Sequence, residues 1–442
     1  MGKQEKSTRE TFSSKFGFIL SCVGAAVGLG NIWMFPYKLG ENGGAAFLVP
    51  YFIFVLLLGT VGLISEFAFG RRFKVGSLGA IRKIFKERNL KHSWLISAIP
   101  TIGLTGIFMF YTVVIGWILK YFFISLTGEI STIDTQTYFA NFTSSNGAVF
   151  WHGLAVLLTL IIVSFGISKG IEKINKIIIP LLFVIFVLLM CKSLSLPGSI
   201  EGVKYLLEPD WSYLLKPTTW VMALGQAFFT VSLTGCCMVM CGSYTDETVD
   251  IPSSAISTVL FDTLAALLAA FVIIPAVFAL GLSPTAGPSL LFVTVPSIFQ
   301  TMKFGQLLNA LFFLSIIFAS ISSSIAMLEG PVEAIMSLTN WNRKKTTYLT
   351  AIIAFIFAIP LSLSSTIFDN FTNFITIVLS PIGASITAFI FFYVLDPTEM
   401  LDHLNLGAKR KLGMYFMHFG KYIFVPTTVI VIILGLIYGG IG

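Results

Sequence analysis

Long apolar runs alternate with short polar punctuation along the whole chain. Read between the polar stretches, eleven runs stand out, at residues 14–39, 43–70, 94–126, 147–166, 172–193, 217–242, 253–282, 302–337, 347–363, 370–396 and 414–440. Crossing a hydrocarbon core as a helix takes about 20 residues, and most of these runs reach it. The pattern predicts an all-α polytopic membrane protein with eleven transmembrane helices, preceded by a polar tail over residues 1–13.

Two runs are interrupted at depth. The first carries "GAAVGLGN" (24–31), which places Gly24, Gly28 and Gly30, followed by Pro36, where a helix needs better formers. The sixth carries "GQAFFTVSLTGCCMVMCGSY" (225–244), with Ser232, Thr234 and Gly235 at comparable depth. Lipid offers no partners for freed backbone groups, so such breaks survive only where the backbone is buried in protein or lines a cavity. Broken spans one and six of ten predict two five-helix repeats of inverted topology, 14–193 and 217–396, with 414–440 as an extra helix. Close packing of small residues is the structural alternative, stronger for the sixth run than for the first.

The breaks suggest a chemistry. Freed carbonyls and neutral hydroxyls suit a hard cation. Free amides at a half-helix N-terminus suit a carboxylate. A zwitterionic amino acid travelling with sodium would use both. Ser322, Ser323 and Ser324 in "ASISSSIAMLEG" offer further hydroxyls, unless they bond back to their own helix. Tyr111 offers another. Glu66 and Asp262 are ionisable groups well inside apolar runs, where charge is expensive and points to function, Asp262 more sharply.

Composition agrees with a membrane protein: 56% of the 442 residues are hydrophobic, 11% are charged, and mean hydropathy is +0.89. The net charge of +7 looks like a nucleic-acid signal until the positives are placed. With a cytoplasmic N-terminus they gather in the inner segments, between Arg71 and His92, Lys169 and Lys176, Asn340 and Lys345, and Lys409 and Lys411. The outer segments 127–146 and 283–301 have neither Arg nor Lys. This is the positive-inside bias, and it removes the need for a nucleic acid. The odd span count leaves the C-terminus outside. No cleavable leader is expected from the polar, basic first 15 residues. Cys22, Cys191, Cys236, Cys237 and Cys241 form no CxxC pair and read as packing residues. His92, His152, His403 and His418 are expected near span ends, and HExxH and GxSxG are absent, so an enzyme is not expected.

"GAAVGLGNIWMFPYKLGENGGAAFLVPY", "SEFAFGRR", "GISKGIEKINK", "GQAFFTVSL" and "SSSIAMLEG" resemble the neurotransmitter:sodium symporter family in order and spacing. The resemblance implies the leucine-transporter fold, residence in a bacterial cytoplasmic membrane, and sodium-driven amino-acid uptake by alternating access. Carried over by position, it implies a first sodium on the Ala26 carbonyl, Asn31 and Thr230, with Asp262 beside it. A second sodium is implied on the carbonyls of Gly24, Val27 and Ala319 and the hydroxyls of Ser322 and Ser323. The substrate carboxylate would meet the amides of Leu29 and Gly30 and the Tyr111 hydroxyl. The amino group would face the carbonyls of Ala26, Phe229 and Thr230 and the oxygen of Ser232. Ile107, Phe229, Gly235, Ser323 and Met327 would wall the side-chain pocket.

Departures from the family's pattern sharpen the expectations. Asp262 stands where sodium-only relatives have asparagine, and Ala266 where chloride-dependent relatives have serine. A fixed negative charge at Asp262 would make chloride unnecessary; a titrating Asp262 would make the carrier proton-linked. The outer-gate arginine and aspartate are replaced by Met34 and Thr372, leaving closure to packing, with Phe229 over Tyr111 as the lid. At the inner gate Arg9, Phe12 and Tyr244 match, but the usual aspartate falls on Ser337, leaving Asp246 and Glu247 as partners for Arg9. Gly235 in place of a bulky wall favours an aromatic substrate, tyrosine first, then tryptophan or phenylalanine. A broad hydrophobic amino-acid carrier is the alternative. A channel would need a polar pathway, whereas the polar groups here cluster at mid-depth.

Overall fold

The structure is a computed structural model that describes residues 10–281, 290–339 and 341–440. Its described residues are helical, without a strand. The principal helices are α1 (Lys15–Ala26), α2 (Gly30–Glu41), α3 (Ala45–Phe73), α4 (Ser93–Thr127), α5 (Gly147–Ser164) and α6 (Ile167–Leu194). They continue with α7 (Pro217–Thr230) and α8 (Cys237–Ser243), then α9 (Ile251–Ala279), α10 (Gly305–Leu338), α11 (Arg343–Leu363), α12 (Ser365–Val394) and α13 (Met414–Tyr438).

Nine of these, among the described residues, are long and apolar enough to cross a membrane alone. α1 and α2 pass the same test as one span bent by 54°. α7 and α8, separated by residues 231–236, complete a set consistent with the eleven spans expected. The first span does not break at Gly24. α1 runs through it to Ala26, because Gly24 serves a close helix contact: a Cβ there would lie 2.9 Å from Asn175 Oδ1 and 3.0 Å from Ser322 Cβ.

Polar residues start several helices by taking an unpaired amide. Ser14 accepts from Gly17, Asp250 from Ser253, and Asn342 from Lys345. The last cap begins α11 at Arg343, earlier than apolarity alone suggests. α6 likewise begins at Ile167 rather than 172, since Glu172 is neutralised locally by Ser13, Ser14 and Lys176.

Burial separates centre from rim. The apolar windows of α4 and α10 are 83% and 78% buried, against 33% for α6 and α13. α10 packs along α4, and α1 lies against α6, α9 and α10. His152, expected near a span end, is fully buried in α5. Its Nε2 lies 3.1 Å from Thr112 Oγ1 of α4 and its Nδ1 2.9 Å from Ser362 Oγ of α11. Four cysteines are buried as expected, while Cys191 is exposed.

Candidate functional site

The two breaks face each other at the centre of the bundle, and side chains from neighbouring helices satisfy their backbone. In the first, Asn31 Oδ1 accepts from Gly28 N at 2.9 Å and Tyr111 OH from Leu29 N at 3.1 Å. Gln226 Nε2 donates to Gly30 O at 3.0 Å, and Ser232 Oγ to Ala25 O at 2.9 Å. In the second, Gly235 N donates to Glu66 Oε1 at 3.0 Å and Thr387 Oγ1 donates to Gly235 O at 3.0 Å. Thr234 Oγ1 accepts from Cys237 N at 3.1 Å. Glu66 is thus a clamp on the second break, which gives its buried carboxylate a structural task.

Two oxygen-rich clusters flank the cavity between the breaks. In the first, Asn31 Nδ2 donates to Thr230 Oγ1 (2.9 Å), Asp262 Oδ1 (2.8 Å) and Asp262 O (3.0 Å). Thr230 Oγ1 donates to Asp262 Oδ2 at 2.8 Å, and all three residues are buried. The Tyr51 hydroxyl of α3 and Gln226 Oε1 of α7 are also buried, without a hydrogen-bond partner among the described residues. In the second, Ser323 Oγ lies 3.1 Å from Gly24 O, 3.0 Å from Val27 O and 3.2 Å from Ala319 O. A hydroxyl has one proton, so it serves one of these carbonyls at a time. The surplus of converging acceptors suits a hard cation. Ser322 Oγ bonds back to Ala319 O at 2.7 Å, and Ser324 turns away to Thr159 Oγ1 at 2.7 Å.

The cavity is lined by Ala26, Leu29, Gly30, Ile107, Tyr111, Phe229, Thr230, Ser232, Ser323 and Met327. Leu104, Leu233, Thr234 and Cys237 join them, and it extends toward α12 and α13 at Ala384 and Val431. Gly235 does not line it. Its φ is +71°, and a Cβ there would lie 2.2 Å from Gly383 O, so the missing side chain answers a backbone contact rather than enlarging the pocket. Phe229 and Tyr111 both line the cavity, yet the Phe229 ring lies over Gly30, 3.0 Å from where a Cβ would sit.

At the expected outer gate, Met34 and Thr372 are half-buried, and Trp33 beside Met34 meets the Phe292 ring at 6.2 Å. Phe292 also stacks on Phe139 at 4.9 Å.

Of the expected inner gate, Arg9 lies outside the described residues. Phe12 N donates to Tyr244 O at 3.1 Å, and their rings meet edge to face. Tyr244 OH donates to Glu329 Oε1 at 2.7 Å, and Arg343 Nη1 donates to Glu329 Oε2 at 2.7 Å. Arg343 Nη2 lies 3.4 Å from Glu10 Oε2, which also accepts from Ile167 N. Ser337 bonds its own helix at Ala334 O, and Asp246 and Glu247 are exposed. Besides Glu66 and Asp262, the carboxylates of Glu329, Glu172 and Glu333 are buried. Glu329 stands in the quoted "SSSIAMLEG", where its charge within an apolar run was the available signal.

The model of the sodium:neurotransmitter symporter family matches residues 9–142 and 140–439. The chain belongs to this family. The symporter is 35% identical over 445 residues to a sodium-dependent transporter of Bacillus subtilis (strain 168), YhdH, across 96% of this chain and 97% of that one. It is 28% identical over 422 residues to the sodium-dependent serotonin transporter of Drosophila melanogaster, across 83% of this chain and 66% of that one. A solved structure of MhsT in complex with L-phenylalanine is similar at a TM-score of 0.86 and 35% identity, covering 96% of this chain and 99% of that chain. The symporter is a multi-pass, sodium-dependent membrane transporter, not an enzyme.

Proposed function

We propose that this symporter imports an aromatic L-amino acid with sodium by alternating access across a bacterial cytoplasmic membrane, N-terminus inside, C-terminus outside, and without chloride. The observation that carries the reading is the single Ser323 proton facing the carbonyls of Gly24, Val27 and Ala319. Those oxygens, with Ser322 after its hydroxyl turns from Ala319, are the second sodium site. Asp262, Thr230, Asn31 and the Ala26 carbonyl are the first. There the Asn31 amide makes a half-turn to present Oδ1 in place of Nδ2.

The substrate carboxylate takes the Leu29 and Gly30 amides and the Tyr111 hydroxyl. Its amino group takes the carbonyls of Ala26, Phe229 and Thr230 and the Ser232 oxygen. Ile107, Phe229 and Met327, joined by Leu104 and Leu233, present an apolar wall that suits an aromatic ring. Support comes from the similar MhsT, whose structure holds L-phenylalanine. The Asp262 carboxylate supplies the negative charge that an anion would otherwise bring beside the first sodium. The repeats 14–193 and 217–396 rock about the breaks. Each charge falling through 100 mV yields about 2.3 kcal/mol for accumulation.

Proteoliposome uptake of labelled phenylalanine, tyrosine and leucine, with and without sodium and chloride gradients, tests the reading. Sodium-dependent uptake of the aromatic pair in chloride-free buffer, lost or made chloride-sensitive by Asp262→Asn, supports it. Uptake driven by a proton gradient alone overturns the sodium sites, and preference for small substrates overturns the aromatic assignment.

A further inference from the structure

α1 turns one line of small residues to α6: Gly17, Ser21 and Gly24, spaced by four and three so that they share a helical face. Opposite them α6 sets Glu172 and Asn175, three apart on one face. A Cβ at Gly17 would meet Glu172 Oε1, and a Cβ at Gly24 would lie 2.9 Å from Asn175 Oδ1. The seam is therefore closed by side-chain oxygens lying on bare backbone. Asn175 Oδ1 and Ser21 Oγ are both buried, and neither has a hydrogen-bond partner among the described residues. Water exposes no such acceptors at a cost, but a buried seam does, so two orphan oxygens between packed helices call for a ligand. Ser322 Cβ lies 3.0 Å from the same point beside Gly24, which puts the seam directly against the carbonyl cluster around Ser323.

We propose that Asn175 Oδ1 and Ser21 Oγ form a staging site for sodium on its way from that cluster to the cytoplasm. The proposal rests on reading the cluster as a sodium site. Neutral amide and hydroxyl oxygens suit a monovalent hard cation. A site without charge holds it weakly, as a passing ion requires. Glu172 stands at the mouth of the seam. Ser13 N (2.6 Å), Ser13 Oγ (2.6 Å), Ser14 Oγ (3.1 Å) and Lys176 Nζ (2.6 Å) occupy its carboxylate. When the tail lifts, the two serines leave and the carboxylate becomes available to the ion, while Lys176 keeps it from becoming a trap.

The test compares full-length protein and Asn175→Ala, Asn175→Asp and Ser21→Ala variants in three assays. These are sodium-dependent equilibrium binding of labelled L-phenylalanine, net uptake, and phenylalanine exchange in proteoliposomes. Exchange returns the carrier loaded, so it needs no sodium release. Asn175→Ala is expected to slow net uptake by roughly tenfold, with exchange and the sodium half-saturation of binding unchanged, and Asn175→Asp, whose charge turns the stage into a trap, to slow net uptake as well. Ser21→Ala repeats the pattern at smaller size and carries the test if Asn175→Ala does not fold. An equal fall in uptake and exchange, a shifted half-saturation, or unchanged uptake overturns the staging site alone. Wild-type protein without sodium-dependent binding overturns the functional reading as well.

Discussion

Arg343 Nη1 lies 2.7 Å from Glu329 Oε2, and that carboxylate has no solvent exposure. The pair joins the start of α11 to the C-terminal half of α10, and Glu10 and Tyr244 bind to it from the tail and the end of α8. A buried carboxylate stripped of its cation costs about 3–5 kcal/mol, far more than an exposed pair is worth. Arg343→Gln is therefore expected to lower the thermal unfolding midpoint in detergent strongly. The double variant Arg343→Gln, Glu329→Gln should recover most of the loss, because no uncompensated charge remains. Equal midpoints for the single and double variants would refute this.

The two neighbouring serines of α10 are not equivalent. Ser323 reaches three carbonyls on two helices, whereas Ser322 bonds its own helix. Ser323→Ala should raise the sodium half-saturation of uptake by roughly tenfold or more, with Ser322→Ala the milder change. A sodium titration of uptake for both variants decides it, and the reverse order would count against the geometry.

Gly28 is where the site has no room for a methyl group. A Cβ there would lie 2.4 Å from Tyr111 OH and 2.7 Å from Ser323 Oγ, one residue from each candidate site. Overpacking of this kind costs about 1–3 kcal/mol, paid locally by moving Tyr111 off Leu29. Gly28→Ala should fold and lose substrate binding in an equilibrium assay. Gly153→Ala, whose Cβ would meet the Phe355 ring at an ordinary 3.5 Å, should leave binding intact.

Outside the membrane spans, His403 sits on the helix Pro397–Asn405, and burial, with the Arg72 charge behind it, holds its pKa below the ordinary value. The unfolded chain then binds the proton more readily. Stability is full above about pH 6.5 and falls as pH drops through that value toward the folded one. The midpoint of the wild type should decline on acidification in that window, and His403→Gln should decline less. Arg71 of α3 donates to the backbone carbonyls of His403 and Leu404, so the substitution leaves that attachment in place.

Most of the spans were legible because a membrane imposes length and apolarity on each one separately. The breaks were legible for the same reason, since Gly28 and Ser232 have no business inside a lipid-facing helix. What escaped depends on partners far apart in the chain. Arg343 reads as one more cytoplasmic positive charge, and only packing of α10 against α11 turns it toward Glu329. Gly235 reads as a vacated wall, and only the approach of Gly383 shows that the space was never there. Glu172 reads as the first residue of a span until Ser13 and Ser14 close on it. His152 reads as a span-end residue until Thr112 and Ser362 are found on either side.

That last arrangement reaches beyond α5. Each nitrogen of the imidazole meets a hydroxyl on a different helix, α4 on one side and α11 on the other, so the three helices are pinned at one height. α4 and α5 also touch closely enough that a Cβ at Gly116 would lie 2.6 Å from His152 N. α5 cannot slide lengthwise without breaking both bonds, nor α4 or α11 without breaking one, in a place that water does not reach. They form a stator, the fixed frame that the proposed rocking of α1 and α8 would push against.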